Sequence, residues 1–410
     1  MKDCGIEWIG QIPDDWEVKR FKYIHSGTNV GESIDKEFWS QDENEYVFYT
    51  AGETNIYNTY NKFPNWKFVK SCDLLLARNG TPYVYLPPVD AQYSDHIIRT
   101  SINKDIDKRF VRYCLQLSIE NEKVEVVSLA TWSVSIWNEQ KLPVPNITEQ
   151  KLIADFLDKQ TAKIDAIIKT NEEQLEVLKK YKKSLITQTV TKGLNKNARM
   201  KDSGIEWIGK IPEEWNVKHI KNHFSIISGS GFAIELQGKD FGDYPVCKAG
   251  DISAAGKELT SAANYLSKNE IKIAGFSIIP KGSIIFAKIG EAMKKNNRSI
   301  NTIDCCLDNN CQGVIPHNFN SNYAYYVFLC IDMENYDNGG PIPCINNKKL
   351  LASKIPFPPV SEQQQIADYL DEKCLKIDSL ISQKQQAIET MQKYKKSLIY
   401  EYVTGKKRIK

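Results

Sequence analysis

The stretch LPVPNITEQKLIADFLDKQTAKIDAIIK, residues 142–169, decides the fold because the chain contains it twice. Its second copy, IPFPPVSEQQQIADYLDEKCLKIDSLIS, spans residues 355–382. Over the longer comparison of residues 142–191 with residues 355–404, 23 of 50 positions are identical. A repeat of this kind indicates two equivalent structural elements, so the rest of the chain is best understood as two halves.

Each copy predicts a long helix that begins after a proline-rich extended stretch. Thr148 and Ser361 are the predicted N-caps, and a glutamate follows each of them, where negative charge suits the helix dipole. Apolar residues then recur mostly three, four or seven positions apart and form one narrow stripe. The stripe contains Leu157, Ile164, Ile168, Leu175, Leu178 and Leu185 in the first copy and Leu370, Ile377, Ile381, Ile388, Met391 and Leu398 in the second. Because a single helix partner buries a stripe this narrow, the two copies are predicted to form a coiled coil with each other.

The connections between the repeats favour an antiparallel pair of helices. Each helix begins where its own variable segment ends, so a parallel pair would crowd both variable segments at one end. The short link of residues 191–201 suits the antiparallel case, which places the second variable segment at the far tip. The predicted fold is therefore α+β: two pseudo-twofold-related globular domains separated by a long antiparallel two-helix coiled coil.

A second repeat, the lead-in, precedes each variable segment. Residues 2–19, KDCGIEWIGQIPDDWEVK, share 13 of 18 positions with residues 201–218, KDSGIEWIGKIPEEWNVK. The lead-in tryptophans Trp8, Trp16, Trp207 and Trp215 are interpreted as packing anchors. The predicted segments are a lead-in with the first globular head in residues 1–145, the first long helix in 146–192, a lead-in with the second head in 193–358, the second long helix in 359–405, and a basic tail in 406–410.

The two heads differ in sequence but share one buried-strand pattern. Residues 72–80, CDLLLARNG, align with residues 282–290, GSIIFAKIG, and each is a short apolar strand followed by a basic residue and a glycine turn. Other short strands rich in β-branched and aromatic residues alternate with Gly, Asn and Pro turns. We expect α+β heads with one fold and two different surfaces.

The composition describes a folded chain with little net charge. Of 410 residues, 54 are basic and 51 acidic, so a net charge of +3 leaves any contact with a polyanion to local clusters. No apolar run of signal-peptide or membrane-span length occurs, which predicts a cytoplasmic protein whose ten cysteines are reduced. Because no nucleotide-binding loop, zinc-protease motif or nucleophile elbow occurs, neither catalytic residues nor metal ligands are predicted.

The second head carries the clearest basic segment. Residues 288–298, KIGEAMKKNNR, hold four basic residues against one acid, and Lys, Arg and Asn suit phosphates and purine edges. A solvated loop is the alternative interpretation of such a run. Arg78 and Asn79 repeat the position in the first head, and the Gly-rich turns 26–28 and 228–231 would bring backbone amides close to phosphate. The predicted DNA-binding residues are Arg78, Asn79, Thr28, Ser228, Ser230, Lys288, Lys294, Lys295, Asn296, Asn297 and Arg298.

The doubled GIEWIG-x-IP-x-x-W, the TEQ or SEQ followed by IADFLD or IADYLD, and the late YKKSLI resemble the specificity subunit of Type I restriction-modification systems. The resemblance spans essentially the whole chain in the right order. It implies a non-catalytic subunit that binds double-stranded DNA through two target-recognition domains. It also implies two modification subunits that use S-adenosylmethionine and, in the full complex, two restriction subunits that use ATP and Mg²⁺, with no cofactor in this chain.

The form of the DNA site follows from the two heads. Because the heads differ in sequence, the site is expected to be asymmetric and bipartite, with a non-specific gap of several base pairs. Methylated adenines on opposite strands are implied by the resemblance.

Two other classes of protein remain open on the sequence. A coiled-coil scaffold whose heads bind proteins would show the same repeats, and a salt titration of duplex binding separates it from a DNA-binding subunit. A free-standing DNA methyltransferase would need a cofactor loop and an Asn- or Asp-Pro-Pro-aromatic motif, which the sequence lacks.

Overall fold

The computed structural model describes residues 1–51, 56–79, 82–121 and 132–409 of the protein. The chain divides into two compact units, the first formed by Met1–Glu172 with Gln386–Lys410 and the second by Glu173–Gln385. Each unit combines a head of mixed sheet and helix with one part of each long helix, which confirms the predicted α+β class with two domains. Gly80, which ends the strand pattern of the first head, lies outside the described residues.

Short strands build the first head. In chain order the elements are β1 (Lys2–Asp3), β2 (Gln11–Ile12), β3 (Glu17–Arg20), β4 (His25–Val30), β5 (Trp39–Ser40), β6 (Tyr46–Tyr49), β7 (Ile56–Asn58), β8 (Asp73–Ala77), β9 (Val84–Tyr85), β10 (Gln92–Tyr93), β11 (Ile97–Ile102), α1 (Lys108–Asn121), α2 (Val134–Glu139), β12 (Lys141–Val144) and the first long helix α3 (Ile147–Lys192). The main sheet has the order β4-β11-β8-β9, and a second sheet has the order β10-β6-β7-β5. Two-stranded ribbons pair β1 with β2 and β3 with β12.

The second head repeats this plan with a larger main sheet. Its elements are β13 (Met200–Asp202), β14 (Lys210–Pro212), β15 (Asn216–His219), β16 (Phe224–Ser228), β17 (Tyr244–Cys247), α4 (Ala249–Ala255), β18 (Glu258–Leu259), β19 (Tyr265–Leu266), α5 (Lys268–Ala274), β20 (Ile284–Ala287), α6 (Glu291–Lys294), β21 (Arg298–Asn301), β22 (Cys306–Leu307), β23 (Cys311–Pro316), α7 (Ser321–Cys330), α8 (Asn347–Ala352), β24 (Lys354–Phe357) and the second long helix α9 (Val360–Val403). The main sheet has the order β16-β23-β20-β21-β18, and a smaller sheet has the order β19-β17-β22. Ribbons pair β13 with β14 and β15 with β24.

The buried strand predicted in each head lies inside its main sheet. β8 and β20 are buried along their whole length because they are almost entirely apolar and have neighbours on both sides. β11 runs antiparallel to β8 and β4, and β23 runs antiparallel to β20 and β16. Ala77 pairs with Ile97, and Ala287 pairs with Cys311, at the same end of the strand. The two heads therefore share a central sheet, as the aligned pattern predicts.

One hydrophobic core in each unit joins the head to the long helices. In the first unit the core includes Phe110 of α1 and Leu157 of α3. In the second unit it includes Phe286 of β20, Tyr323 of α7 and Leu370 of α9. Burial of apolar surface therefore fixes each head on the helices of its own unit.

The predicted N-caps of the long helices are wrong by two residues. At the start of α3, the side-chain oxygen of Asn146 accepts the backbone N–H of Glu149 (2.9 Å). At the start of α9, the carbonyl oxygen of Pro359 accepts two N–H groups of the first turn. Thr148 and Ser361 lie inside the first turns instead. Residue preference also allows Asn146 at the start of α3, and in both copies the helical geometry begins directly after the proline-rich stretch.

The long helices pack antiparallel within each unit. In the first unit the early part of α3 shares a core with the end of α9, and Lys395 Nζ lies 2.7 Å from Asp165 Oδ1. In the second unit the end of α3 shares a core with the early part of α9, and Lys182 Nζ lies 2.6 Å from Asp378 Oδ1. Asp165 and Asp378 are equivalent in the repeat, as are Lys182 and Lys395. The predicted antiparallel pairing is confirmed.

The predicted apolar stripe lies on the protected side of both helices. Leu157, Ile164, Leu175, Leu370, Ile377 and Leu398 are buried. Ile168, Leu178, Leu185, Ile381, Ile388 and Met391 are half-buried. The role of the stripe as a helix–helix interface along its whole length stays a prediction.

Candidate nucleic-acid interface

A tyrosine holds each head on a long helix. The hydroxyl of Tyr113 in α1 donates to Asp158 Oδ1 in α3 (2.8 Å), and the hydroxyl of Tyr326 in α7 donates to Asp371 Oδ1 in α9 (2.6 Å). Burial raises the pKa of Tyr113 to about 12, and burial also holds the pKa of Tyr326 well above its usual value. Both hydroxyls therefore stay protonated and keep donating at neutral pH.

A buried glutamine near the start of each long helix makes a second repeated contact. Gln150 Oε1 accepts the backbone N–H of Asp107 (2.9 Å), and Gln363 Oε1 accepts that of Asn320 (2.9 Å). Each glutamine Nε2 donates to the carbonyl oxygen of the proline five residues earlier, at 2.7 and 2.9 Å. Both glutamines thus tie the start of a head helix to the start of a long helix.

The lead-ins reach the long helices through their second tryptophan. Trp16 Nε1 donates to Glu149 Oε2 (3.1 Å), and Trp215 Nε1 donates to Glu362 Oε2 (2.8 Å). Both indole rings are buried, as expected for packing anchors, whereas the other two lead-in tryptophans are half-buried. The hydrogen bonds that hold each head and its lead-in on the long helices are therefore equivalent in the two units.

The turns that follow β8 and β20 differ between the heads. Arg78 donates its backbone N–H to the carbonyl oxygen of His96 (2.8 Å) and accepts the N–H of Trp132 (2.6 Å). Asn79 Nδ2 donates to His96 Nδ1 (2.6 Å), so this predicted DNA contact already has a partner within the head. After β20 the chain continues instead into the 288–298 turn, which contains α6.

The 288–298 turn presents its lysines to solvent. Lys294 and Lys295 are exposed, and Lys288 is half-buried. Lys294 Nζ lies 2.7 Å from Glu291 Oε1, and this hydrogen bond raises the pKa of Lys294. An exposed ion pair of this kind contributes little to the free energy of folding, so Lys294 can exchange its contact with Glu291 for one with another anion. Asn297 is exposed and donates to Ser253 Oγ (3.0 Å).

Asn296 and Arg298 have structural roles in this turn. Arg298 is only 3% exposed, and its guanidinium donates to the carbonyl oxygens of Asn296 and Ile331. The side chain of Asn296 accepts from Arg298 Nη2 (3.0 Å) and from the N–H of Met333 (3.0 Å), and it donates to Asp332 Oδ1 (2.9 Å). Burial lowers the pKa of Arg298 to about 10. A base contact needs an exposed guanidinium, so the structure assigns Arg298 to the interior of the head.

Arg298→Ala is expected to destabilise the protein by about 2 to 4 kcal/mol, because it leaves buried acceptors without donors and opens a cavity. Chemical denaturation measures this change. Lys295→Ala, in the exposed part of the same turn, is the control and should stay within about 0.5 kcal/mol of the unmutated protein. If Arg298→Ala kept full stability but changed the base preferred at one position of the DNA site, Arg298 would be a base contact as the sequence predicts, and its assignment to a structural role would be wrong.

The glycines at the ends of β4 and β16 serve close backbone packing. A Cβ atom would lie 1.9 Å from a backbone carbonyl oxygen at Gly229 and 2.1 Å from one at Gly31, so only glycine fits. The predicted turn 26–28 lies inside β4, where Thr28 is half-buried. Ser228 is exposed at the end of β16, and Ser230 Oγ donates to a carbonyl oxygen beside α5 (3.2 Å).

The β3–β12 ribbon of the first head and the β15–β24 ribbon of the second, here called the lead-in ribbons, carry basic residues that the sequence patterns did not single out. KRFK at residues 19–22 recurs as KHIK at residues 218–221, and Lys141 of β12 corresponds to Lys354 of β24. The repetition of these basic positions in both halves of the sequence was the signal that could have identified them.

The described part of the chain was also searched for metal-binding groups and for membrane-spanning helices. Within the ranges that the structure describes, no group of three or more His, Cys, Asp or Glu side chains is arranged to hold a metal ion. In those same ranges, no helix combines the length and the apolar character that crossing a membrane requires.

The two heads are held on the long helices by equivalent contacts but carry different turns after the equivalent strands β8 and β20. These features define a two-domain recognition protein. A family model described as the Type I restriction modification DNA specificity domain matches residues 13–177 and 212–390, and the chain belongs to this family. Specificity subunits are non-catalytic and work in complexes with methyltransferase and DNA. The prediction that this chain is a recognition subunit and not itself an enzyme is therefore confirmed.

Individual relatives agree with the family model. The specificity subunit of the Type I restriction enzyme MjaVIII of Methanocaldococcus jannaschii is 25% identical over 445 residues, covering 98% of this chain and 95% of that protein. The EcoR124I/EcoR124II specificity subunit of Escherichia coli is 23% identical over 316 residues, covering 72% of this chain and 70% of that protein. A solved chain, described with the assembly and conformational transition of the type I R-M system, covers 96% of this chain and 99% of its own length. It has a TM-score of 0.67 and 14% identity, which shows a common fold.

Proposed function

We propose that this chain selects the DNA site of a Type I restriction-modification complex, with each head reading one half of an asymmetric bipartite site. The long helices and lead-ins would carry two modification subunits and, in a restricting complex, two restriction subunits. S-adenosylmethionine, ATP and Mg²⁺ would act in those subunits, so this chain contributes recognition and positioning alone.

The observation that carries the proposal is the contrast between a repeated support and two different head surfaces. Tyr113 and Tyr326 make the same contact with equivalent aspartates, whereas the turns after β8 and β20 differ in sequence and in partners. Heads that bind one common partner would keep their surfaces alike. Heads that read two different base sequences have to differ.

The accessible predicted residues are the proposed DNA contacts. Lys288, Lys294 and Lys295 suit phosphates, and the exposed side chain of Asn297 would contact a base edge. In the first head the proposed contacts are Arg78, Asn79 and Thr28, and in the second head Ser228 and Ser230 add hydroxyl groups. Asn297 and Asn79 would exchange an internal hydrogen bond for one to DNA.

Methylation mapping in the native host tests the proposal. Cells with the gene should carry methylated adenines on opposite strands of one asymmetric, gapped motif, and deletion of this gene alone should remove that methylation. An unchanged pattern of methylation after deletion would contradict the proposal, as would a continuous motif without a gap. Loss of a protein complex without any change in methylation would favour a scaffold whose heads bind proteins.

A further inference from the structure

We propose that a cluster of basic side chains beside the lead-in ribbon of each head holds the phosphate backbone of the bound duplex. The proposal rests on the function proposed above and adds a surface that positions each head without reading bases. The basic cluster consists of Arg20, Lys22 and Lys141 in the first unit and of His219, Lys221, Lys348, Lys349 and Lys354 in the second.

The ribbon of the second unit supplies one edge of the basic cluster. His219 of β15 and Lys354 of β24 lie directly opposite each other, so their side chains share one face of the ribbon. His219 Nδ1 donates to the carbonyl oxygen of Ala352 at the end of α8 (2.6 Å), which holds the imidazole beside that helix. The ribbon face therefore continues onto α8.

Helix α8 and the turn after β15 supply the rest. Lys348 and Lys349 are exposed on α8, and Lys221 is exposed in the single 3₁₀ turn Ile220–Asn222, against which α8 packs. Among the residues that the structure describes, none of the four lysines of this cluster forms an ion pair with a carboxylate. Uncompensated charge on short, adjoining elements is what a polyanion requires.

The first unit repeats the arrangement with less net charge. Arg20 lies opposite Lys141 in the β3–β12 ribbon, in the register that His219 and Lys354 have. Arg20 and Lys22 both contact Glu139 at the end of α2, at 3.0 and 3.1 Å. The position equivalent to Glu139 in the second unit is Ala352, so the second cluster keeps its full charge. We therefore expect the second unit to supply more of the salt-sensitive affinity.

The cluster of the second unit adjoins the 288–298 turn. The N–H of Ile345 donates to the carbonyl oxygen of Lys288 (3.0 Å), and the N–H of Gly290 donates to that of Pro343 (2.8 Å). The segment paired with the turn leads directly into α8, whose N-cap is Asn346. The lysines of the turn and those of the basic cluster therefore lie on adjoining elements, as expected for contacts to successive phosphates on one strand.

DNA is favoured over an acidic protein as the occupant. Protein interfaces depend on buried aromatic and arginine anchors, whereas the second cluster offers exposed lysines, which bind phosphate as point charges. The basic positions of the two ribbons are also retained although the head turns differ, which suits contacts to a backbone that is the same for every base sequence.

Neutralisation of three lysines tests the proposal in the complete complex with its modification subunits. One variant combines Lys221→Gln, Lys348→Gln and Lys354→Gln. The control, with equal loss of charge, combines Lys62→Gln, Lys70→Gln and Lys104→Gln, which are exposed in the first head outside the lead-in and the long helices. Binding is measured by fluorescence anisotropy against salt concentration, on a random-sequence duplex and on a duplex with the mapped site. The slope of log K against log salt should fall by about 0.9 for each lost phosphate contact, roughly 2 to 3 in total, on both duplexes. The control should leave the slope unchanged.

Three results would overturn the proposal. The first is a slope that is the same in both variants and in the unmutated complex, with the modification subunits fully retained. The second is weaker binding on the mapped site alone, which would indicate base reading. An unchanged slope with weaker retention of the modification subunits would show that the cluster binds an acidic protein surface. Failure of the proposed function is a separate observation, because the unmutated complex would then bind mapped and random duplexes equally.

Discussion

A chain in which residues 220–353 also replace residues 21–140 is expected to recognise a symmetric site built from two copies of one half-site. Both heads would then read the sequence that the second head reads now. Binding to the original asymmetric site should weaken at least about 100-fold, since each mismatched base pair costs about 1 to 3 kcal/mol and a whole half-site is lost. Methylation mapping of cells that carry the grafted gene measures the result.

The junctions of this graft fall where the two units are structurally equivalent. Lys141 pairs with Arg20, and Lys354 pairs with His219, so both heads enter and leave through ribbons in the same register. The transplanted head also finds its tyrosine acceptor, because Asp158 stands where Asp371 stands in the repeat. Packing at the junctions should therefore survive the exchange.

The reciprocal graft, residues 21–140 in place of residues 220–353, is the matched control. It should give a symmetric site built from the other half of the original motif. If either grafted protein kept the asymmetric motif, the heads would not be the elements that select the sequence. Folded grafts that bind no specific DNA would show that selection needs contacts from both heads at once.

Leu157→Asp is expected to unfold the first unit. Leu157 is fully buried in the core that joins α1, α3 and the end of α9. Loss of the side chain costs about 2 to 5 kcal/mol, and a carboxylate without a partner adds several more. The sum is comparable with the whole stability of a typical domain, about 5 to 15 kcal/mol. Circular dichroism melting and co-purification with the modification subunits measure the loss.

A neighbouring leucine provides the control for this prediction. Leu152 lies on the same helix but is 51% exposed, so Leu152→Asp should melt close to the unmutated protein. Leu370→Asp, at the equivalent buried position in α9, should damage the second unit in the same way. If Leu157→Asp and Leu152→Asp melt at the same temperature, the core assignment is wrong.

The repeat made the fold largely predictable. A helix of 46 residues such as α3 shows a long periodic pattern of apolar residues in the sequence. Antiparallel pairing of two repeated helices also explains why the ion pairs Asp165–Lys395 and Asp378–Lys182 are equivalent. The N-cap of α3 was misplaced because Asn146 and Thr148 are both residue types that N-cap positions favour, and that of α9 because Pro359 acts through its backbone carbonyl oxygen, which residue preference does not describe. Local preference is weaker than the constraint set by neighbouring prolines.

The candidate site was less predictable, because charge does not reveal exposure. Arg298 and Lys295 stand three residues apart in one basic run, yet the first lies inside the head and the second in solvent. Strand β21 turns Arg298 inward, and nothing in the run marks where that strand begins. The sequence does not bring Lys221 and Lys354 together, because they are 133 positions apart and their elements adjoin only in the folded head, where the backbone N–H of Ile220 donates to the carbonyl oxygen of Ser353.

The division of the chain into units sets an order for its biosynthesis. The second unit is one continuous segment, Glu173–Gln385, whereas the first unit needs Met1–Glu172 together with Gln386–Lys410. A ribosome that works from the N-terminus therefore delivers every residue of the second unit before the first unit has its last helical segment. Until then, Leu157 and its neighbours lack Leu398 and Val403 and expose apolar surface. The part of the protein that is made first is thus the part that is completed last.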